Sequence, residues 1–200
     1  GNYTVLQPAG LTANITPADL QVTGISAANK VYNANTTAVL GGSATVTALG
    51  SDAVSVTGTG AGAFADKNVG TGKAVTVTGY SLTGNDAGNY TVLQPAGLTA
   101  NITRADLQVT GVTAGNKVYN ANTTAVLGGS ATVTALGSDA VSVTGTGAGA
   151  FADKNVGTGK AVTVTGYSLT GNDAGNYTVL QPAGLTANIT RADLQVTGVT

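Results

Sequence analysis

The 200-residue chain contains no Cys, His, Trp, Met or Glu, and each absence removes a class of chemistry. General acid–base catalysis usually draws on His or Glu, and nucleophilic catalysis on Cys or a His-activated Ser. Zinc sites draw on Cys and His. Without Cys there is no disulfide framework, so any fold must rest on a buried core. Charge is scarce as well: eight Lys and Arg face nine Asp, for a net charge of −1. No basic patch stands out, which argues against a nucleic-acid partner. No apolar run approaches the ~20 residues that cross a bilayer as a helix. The expectation is a chain that is not an enzyme, takes no cofactor and binds no metal.

What the chain does contain is one 87-residue unit written slightly more than twice. Gly1-Asn2-Tyr3 returns as Gly88-Asn89-Tyr90 and again as Gly175-Asn176-Tyr177. Residues 1–113 laid over 88–200 differ at four positions only: Pro17/Arg104, Ile25/Val112, Ser26/Thr113 and Ala28/Gly115. A period longer than that of common solenoids points to successive domains. Residues 1–16 read as the last strands of a preceding repeat, 17–103 and 104–190 as complete repeats, and 191–200 as the first strand of a following one. The chain opens inside a repeat and without a signal peptide, so it reads as a window in something longer.

Within a unit the hydrophobic period is two. Ala44-Thr45-Val46-Thr47, Val54-Ser55-Val56-Thr57 and Val75-Thr76-Val77-Thr78 set Thr on one face and apolar groups on the other, the pattern of a half-buried strand. β-branched Thr and Val suit a pleated sheet. The pattern predicts strands over 18–25, 30–33, 37–41, 43–48, 53–58, 61–65, 73–79, 89–94 and 97–103. Gly41-Gly42, Leu49–Asp52, Asn68–Gly72 and Gly84–Gly88 read as chain reversals between them. The fold class expected is all-β: tandem antiparallel β-sandwich domains of the immunoglobulin-like kind. Leu, Ile, Val and Phe make up 19 of the 87 residues in 17–103. That is near the lower bound for a folded domain, so the core is expected to be thin. Strand leads into strand across Thr103-Arg104-Ala105 with no Gly/Ser linker, and Pro17 stands at the equivalent point of the first copy. A short link without flexible composition predicts a semi-rigid rod.

Several separated segments agree in order with a known repeat. KVYNANTTAVL begins at Lys30 and again at Lys117. ITPADLQVTGI precedes it, and FADKNVGTGKAVTVTGYSLTGNDAGNYTV follows. Over its whole length the unit resembles the YDG family of repeats, close to the MBG-type repeats. These occur in tandem in very large secreted bacterial proteins, many similar to filamentous-haemagglutinin-like adhesins. The resemblance implies a secreted, extracellular, bacterial cell-surface setting, such as a fibre or a biofilm. The family's Tyr-Asp-Gly turn is Tyr32-Asn33-Ala34 here. Asn33 can still bond its own backbone; Ala34 tolerates positive φ less well than Gly, so the turn is expected to shift by a residue.

Candidate sites weigh against plainer readings. Tyr32, Tyr80, Tyr119 and Tyr167 recur in the copies and, if exposed, can stack on sugar rings; core packing is the alternative. Asn14, Asn35, Asn101 and Asn122 each open an Asn-x-Thr triplet, an acceptor for glycosylation, although a chain rich in Asn and Thr makes that triplet by composition. Asp66-Lys67-Asn68 with Asn85-Asp86 offers oxygen ligands for calcium, but turn capping is the simpler use. Lys67 or Lys73 joined to an Asn through an isopeptide bond needs a buried carboxylate to move protons; hydrated surface lysines are the simpler reading.

Three functions fit. The first is a structural stalk or spacer repeat of an extracellular adhesin or surface fibre, with neighbouring repeats of the same chain as its partners. The second is a multivalent binder of host or biofilm glycans, whose tandem copies raise avidity. The third is a filament subunit making homotypic contacts by strand exchange, since edge strands with so few charges are poorly protected against pairing.

Overall fold

The computed structural model describes residues 1–198. In the first repeat the strands are β1 (Ala18–Gln21), β2 (Thr23–Ala27), β3 (Lys30–Val31), β4 (Thr37–Ala38), β5 (Leu40–Thr45), β6 (Ser55–Phe64), β7 (Gly70–Thr83), β8 (Tyr90–Leu93) and β9 (Thr99–Thr103). The second repeat carries β10 (Ala105–Gln108), β11 (Thr110–Gly115), β12 (Lys117–Val118), β13 (Thr124–Thr132), β14 (Ser142–Thr144), β15 (Ala148–Phe151), β16 (Gly157–Thr165), β17 (Ser168–Thr170), β18 (Tyr177–Leu180) and β19 (Leu185–Thr190). A single 3-10 turn precedes β8 and another precedes β18. No α-helix occurs among the described residues. The all-β class expected from the two-residue period is what forms: along β7 Val75 and Val77 are buried while Thr76 and Thr78 are exposed.

Three expectations need correction. The sheets are not purely antiparallel. In each repeat two ladders are parallel: β1 with β8 and β3 with β9 in the first, β10 with β18 and β12 with β19 in the second. Parallel pairing demands a long crossover, and about seventy residues of intervening repeat supply it; a local alternating pattern carries no information about such a partner. Second, Gly41-Gly42 is not a reversal. It lies inside β5, where the register against β2 slips between Thr23 and Ile25. A Cβ on Gly42 would stand 2.1 Å from the Gly24 carbonyl oxygen, so two backbones touch there and form a bulge. Third, the strands expected at 53–58 and 61–65 are one strand, β6, kinked where its register against β7 slips between Gly58 and Ala61.

The chain forms two compact units. Unit 1 comprises 1–28, 37–65 and 74–100; unit 2 comprises 29–36, 66–73 and everything from Asn101 onward. In unit 1, β6 pairs antiparallel with β4 and with β7, and Leu20, Val22, Phe64, Val75, Val77 and Tyr90 are buried. In unit 2 a six-stranded sheet runs β11-β13-β15-β16-β19-β12. Its core gathers Ala125, Phe151, Val162, Val164, Ala187 and Ile189. Two segments encoded by the first repeat, 29–36 and 66–73, therefore belong to unit 2.

Residues 1–17 and 191–198 carry no regular structure. Ile15 is 100% exposed, whereas its equivalents Ile102 and Ile189 are each 1% exposed. The physical reason is pairing: Ile102 and Ile189 lie in β9 and β19, which are bonded to β3 and β7 and to β12 and β16, whereas residues 11–16 have no partner strand among the described residues. Tyr-Thr-Val-Leu at 90–93 and 177–180 is held by Ala-Asp-Leu-Gln at 18–21 and 105–108. The copies at 3–6 and 192–195 have no such partner among the described residues, and a lone strand is not stable in water. The expected strand at 191–200 falls partly on residues 199–200, which lie outside the described residues.

Candidate functional site

The Lys-Val-Tyr-Asn-Ala-Asn segment builds a tight turn around a lysine. Lys30 Nζ donates to Asn33 Oδ1 (2.8 Å), the Asn35 carbonyl (2.7 Å) and Asn35 Oδ1 (3.0 Å). Burial lowers the Lys30 pKa from its ordinary value. Lys117 makes the equivalent bonds to Asn120 and Asn122, donates to the Thr124 carbonyl at 2.9 Å, and lies over the Phe151 ring. The turn does not shift by a residue as expected. Ala34 itself takes φ +60° and Ala121 φ +62°, because the lysine fixes Asn33 and Asn35 on either side. Left-handed backbone costs a Cβ-bearing residue about 1–2 kcal/mol, which gives a reason for the family's Gly at this position. Ala34→Gly is expected to stabilise the chain by roughly 0.5–1 kcal/mol, the strain relieved less the added unfolded-state entropy. Chemical denaturation of the single and Ala34→Gly/Ala121→Gly double variants checks it.

The same turn holds Tyr32 among residues of the second repeat within unit 2. Its hydroxyl donates to Asp139 Oδ2 at 2.6 Å, and the Tyr177 hydroxyl donates to the same oxygen at 2.7 Å. The two rings meet edge to face with centroids 5.4 Å apart. Lys67 Nζ bonds Asp139 Oδ1 and lies 3.3 Å from Asp173 Oδ1. The Asp139 side chain is fully buried. Beside this cluster Asn176 Oδ1 accepts the Val69 N–H (2.9 Å), and Asn176 Nδ2 donates to Asn68 Oδ1 (3.1 Å). Arg104, one of the four residues that differ between copies, donates from Nε to the Gly175 carbonyl at 3.0 Å. Pro17, its equivalent, has no such donor.

The electrostatics follow from this packing. Burial alone would raise the Asp139 carboxyl, but Lys67 and the two phenols outweigh it and hold the group below the usual carboxylate range. Asp139 raises the Lys67 ammonium in return. Burial, then the bond to Asp139, raises the Tyr32 phenol and pushes Tyr177 up to about 12. The cluster is a closed set of donors and acceptors. No buried side-chain polar atom among the described residues lacks a partner.

The sequence candidates distribute unevenly. Tyr32 is 2% exposed and unavailable to a sugar ring. Tyr80 and Tyr167 are half-buried, and the hydroxyl ends of their rings lie against Gly60 and Gly147, where a Cβ would stand 2.5 Å from the ring. Gln94 pairs with both backbone groups of Tyr80, as a strand would, and Gln181 does the same for Tyr167. Tyr119 is partly exposed. Asn14, Asn35 and Asn122 lie on the surface. Asn101 Oδ1 accepts the Gly72 N–H (2.7 Å), a bond that serves the backbone. Asp66 and Asp86 cap turns, accepting from the Asn68 and Ala53 N–H groups, each at 2.8 Å. The lysines are not hydrated surface groups: the Lys67 side chain is 32% exposed and Lys73 15%, the latter paired with Asp66 at 2.6 Å. Their partners are carboxylates 72 and seven residues away, and nothing local marks the first of these. Asp139, Asp173 and Asn176 were not singled out as a site by the sequence, in which they read as turn residues. The available signal was that Lys67, Tyr32 and Asn176 all recur at one spacing.

Comparison with known families finds a match to the YDG domain at residues 16–99 and again at 103–187. No curated protein and no solved structure matches. With two tandem copies spanning well over half of its length, the chain belongs to the YDG-domain family.

Proposed function

We propose that the chain is a spacer segment from the stalk of an extracellular bacterial adhesin or surface fibre. It performs no catalysis, and its partners are the neighbouring repeats of the same chain. The observation that supports this reading most is the make-up of unit 2. It incorporates Asn29–Thr36 and Asp66–Lys73 from the first repeat and ties them to Asp139 and Asn176 of the second. The two repeats are thus joined by more than a bare three-residue link. The glycan-binding alternative has less support, since Tyr32 is buried and the Tyr80 and Tyr167 rings lie against glycines.

Small-angle scattering on chains of two, four and six repeats tests the proposal. The maximum dimension is expected to rise linearly with repeat number. A plateau, or a square-root dependence like that of a flexible string, would remove it.

A further inference from the structure

In each repeat the first strand pairs with one from near the repeat's end, and the two run the same way. β1 lies parallel to β8, in register from Ala18 with Tyr90 to Gln21 with Leu93. β10 lies parallel to β18 in the same register, from Ala105 with Tyr177 to Gln108 with Leu180. We propose that these two ladders are tension clamps: a repeat pulled by its ends must slide the paired strands along each other and cannot peel them apart. The proposal goes beyond spacing, because it gives the fold resistance to force; the use of that resistance in a stalk rests on the spacer reading above.

Direction decides the mode of failure. Tension reaches β1 at its first residue, where the chain enters the repeat, and reaches β8 from its last residue, the side on which the chain leaves. In a parallel ladder those two residues stand at opposite ends, so every bond between them is strained together. In an antiparallel ladder they would stand side by side, and the bonds would open one at a time. The strand that follows β18 is less protected. β19 pairs antiparallel with β16, with its Ile189 beside Gly157, and can open from that end. Its parallel pairing with β12 covers only two residues. Once β19 yields, tension passes to Leu180 at the end of β18, where β10 holds it in shear.

Further bonds reinforce the ladder at the end where β8 leaves it. Gln21 Nε2 donates to the Gln94 carbonyl (2.7 Å) and the Leu93 carbonyl (3.3 Å). Gln108 does the same to Gln181 (2.8 Å) and Leu180 (3.3 Å). The Val22 N–H extends the ladder to the Leu93 carbonyl at 2.9 Å, and the Val109 N–H reaches the Leu180 carbonyl at the same distance. Leu20, Val22, Leu107 and Val109 are buried, which closes one face of each ladder to water.

Single-molecule force spectroscopy on the full 200-residue chain tests the clamp by changing only the direction of pull. The chain has no Cys, so introduced thiols take the handles specifically. Pro17→Cys with Ala96→Cys places handles at opposite ends of the β1–β8 ladder and shears it. Pro17→Cys with Gly88→Cys places them at the same end and peels it. All three positions are exposed, and a Cβ on Gly88 meets nothing within 4 Å. The sheared pair is expected to rupture at about two- to fourfold higher force at one pulling speed, because its bonds fail together. The chain pulled from its two ends is expected to rupture near the sheared value. Gln21→Ala is expected to lower the sheared force and leave the peeled force unchanged, since peeling starts at the Ala18 end. The equivalent handles of the second repeat, Arg104→Cys with Ala183→Cys and with Gly175→Cys, repeat the comparison in an independent ladder. Equal forces in the two directions overturn the proposal, and so does end-to-end rupture at the peeled value or an equal loss in both directions from Gln21→Ala. None of these results changes how the maximum dimension grows with repeat number, so failure of the clamp and failure of the spacer reading are distinguishable.

Discussion

Asp139→Ala is expected to lower the unfolding free energy by about 3 kcal/mol, and Asp52→Ala by only about 1 kcal/mol. The two aspartates occupy the same place in the same repeat sequence. Each accepts a tyrosine hydroxyl from its own repeat, Tyr90 on Asp52 and Tyr177 on Asp139. Asp139 alone also holds Lys67 and Tyr32. Removing it strands two buried phenols and a partly buried ammonium, and unpaired buried polar groups are costly. The difference between the two variants, about 2 kcal/mol, isolates the contribution of segments 29–36 and 66–73. Urea denaturation of the two variants beside the parent measures it; equal losses would show that the added partners contribute nothing.

The same carboxylate gives the effect a pH signature. Its folded-state pKa lies below the unfolded value. Its contribution is therefore complete above the unfolded pKa of about 4 and disappears as the pH falls through the folded value. The stability gap between the parent and Asp139→Ala is expected to hold from neutral pH down to about 5 and to shrink below about 4. Asp66 and Asp153 are also held low by their lysines. They titrate in both proteins, so the gap rather than the absolute stability is the quantity to follow.

Gly171→Ala is expected to cost about 3 kcal/mol or more, and Gly175→Ala, four residues on, less than about 0.5 kcal/mol. Gly171 has φ +117°, and a Cβ there would stand 2.1 Å from the Ala140 carbonyl oxygen. No rotamer relieves that clash, since both atoms are fixed to backbone. Gly175 has an ordinary φ and nothing within 4 Å. The first repeat supplies an internal duplicate, because Gly84 (φ +120°) would meet the Ala53 carbonyl oxygen at 2.0 Å while Gly88 meets nothing. The close approach matters to the cluster. It sets the turn in which Asp173 Oδ2 accepts the Ala140 N–H at 2.9 Å, next to Asp139. Thermal unfolding of the four alanine variants checks the pattern; equal effects within either pair would contradict the geometry.

The all-β class was legible from the two-residue alternation because that signal is local: Val75, Val77 and the threonines between them need no distant partner to declare a half-buried strand. Most strand positions followed for the same reason. The parallel ladders did not, since Ala18 and Tyr90 find each other across a whole repeat and neither residue type encodes the other. The Gly41-Gly42 bulge was misread as a turn because the sequence shows the glycines and not the Gly24 carbonyl that requires them. Sequence alone determined the 87-residue period, the absence of the usual catalytic and metal-ligating residues, and membership in a repeat family. Only the tertiary structure decided that Asp139, one of nine aspartates and outwardly a turn residue, is the buried acceptor for Lys67, Tyr32 and Tyr177. An identical aspartate at position 52 lacks two of those donors. The two share a local sequence, so the distinction lies entirely in what is packed against each.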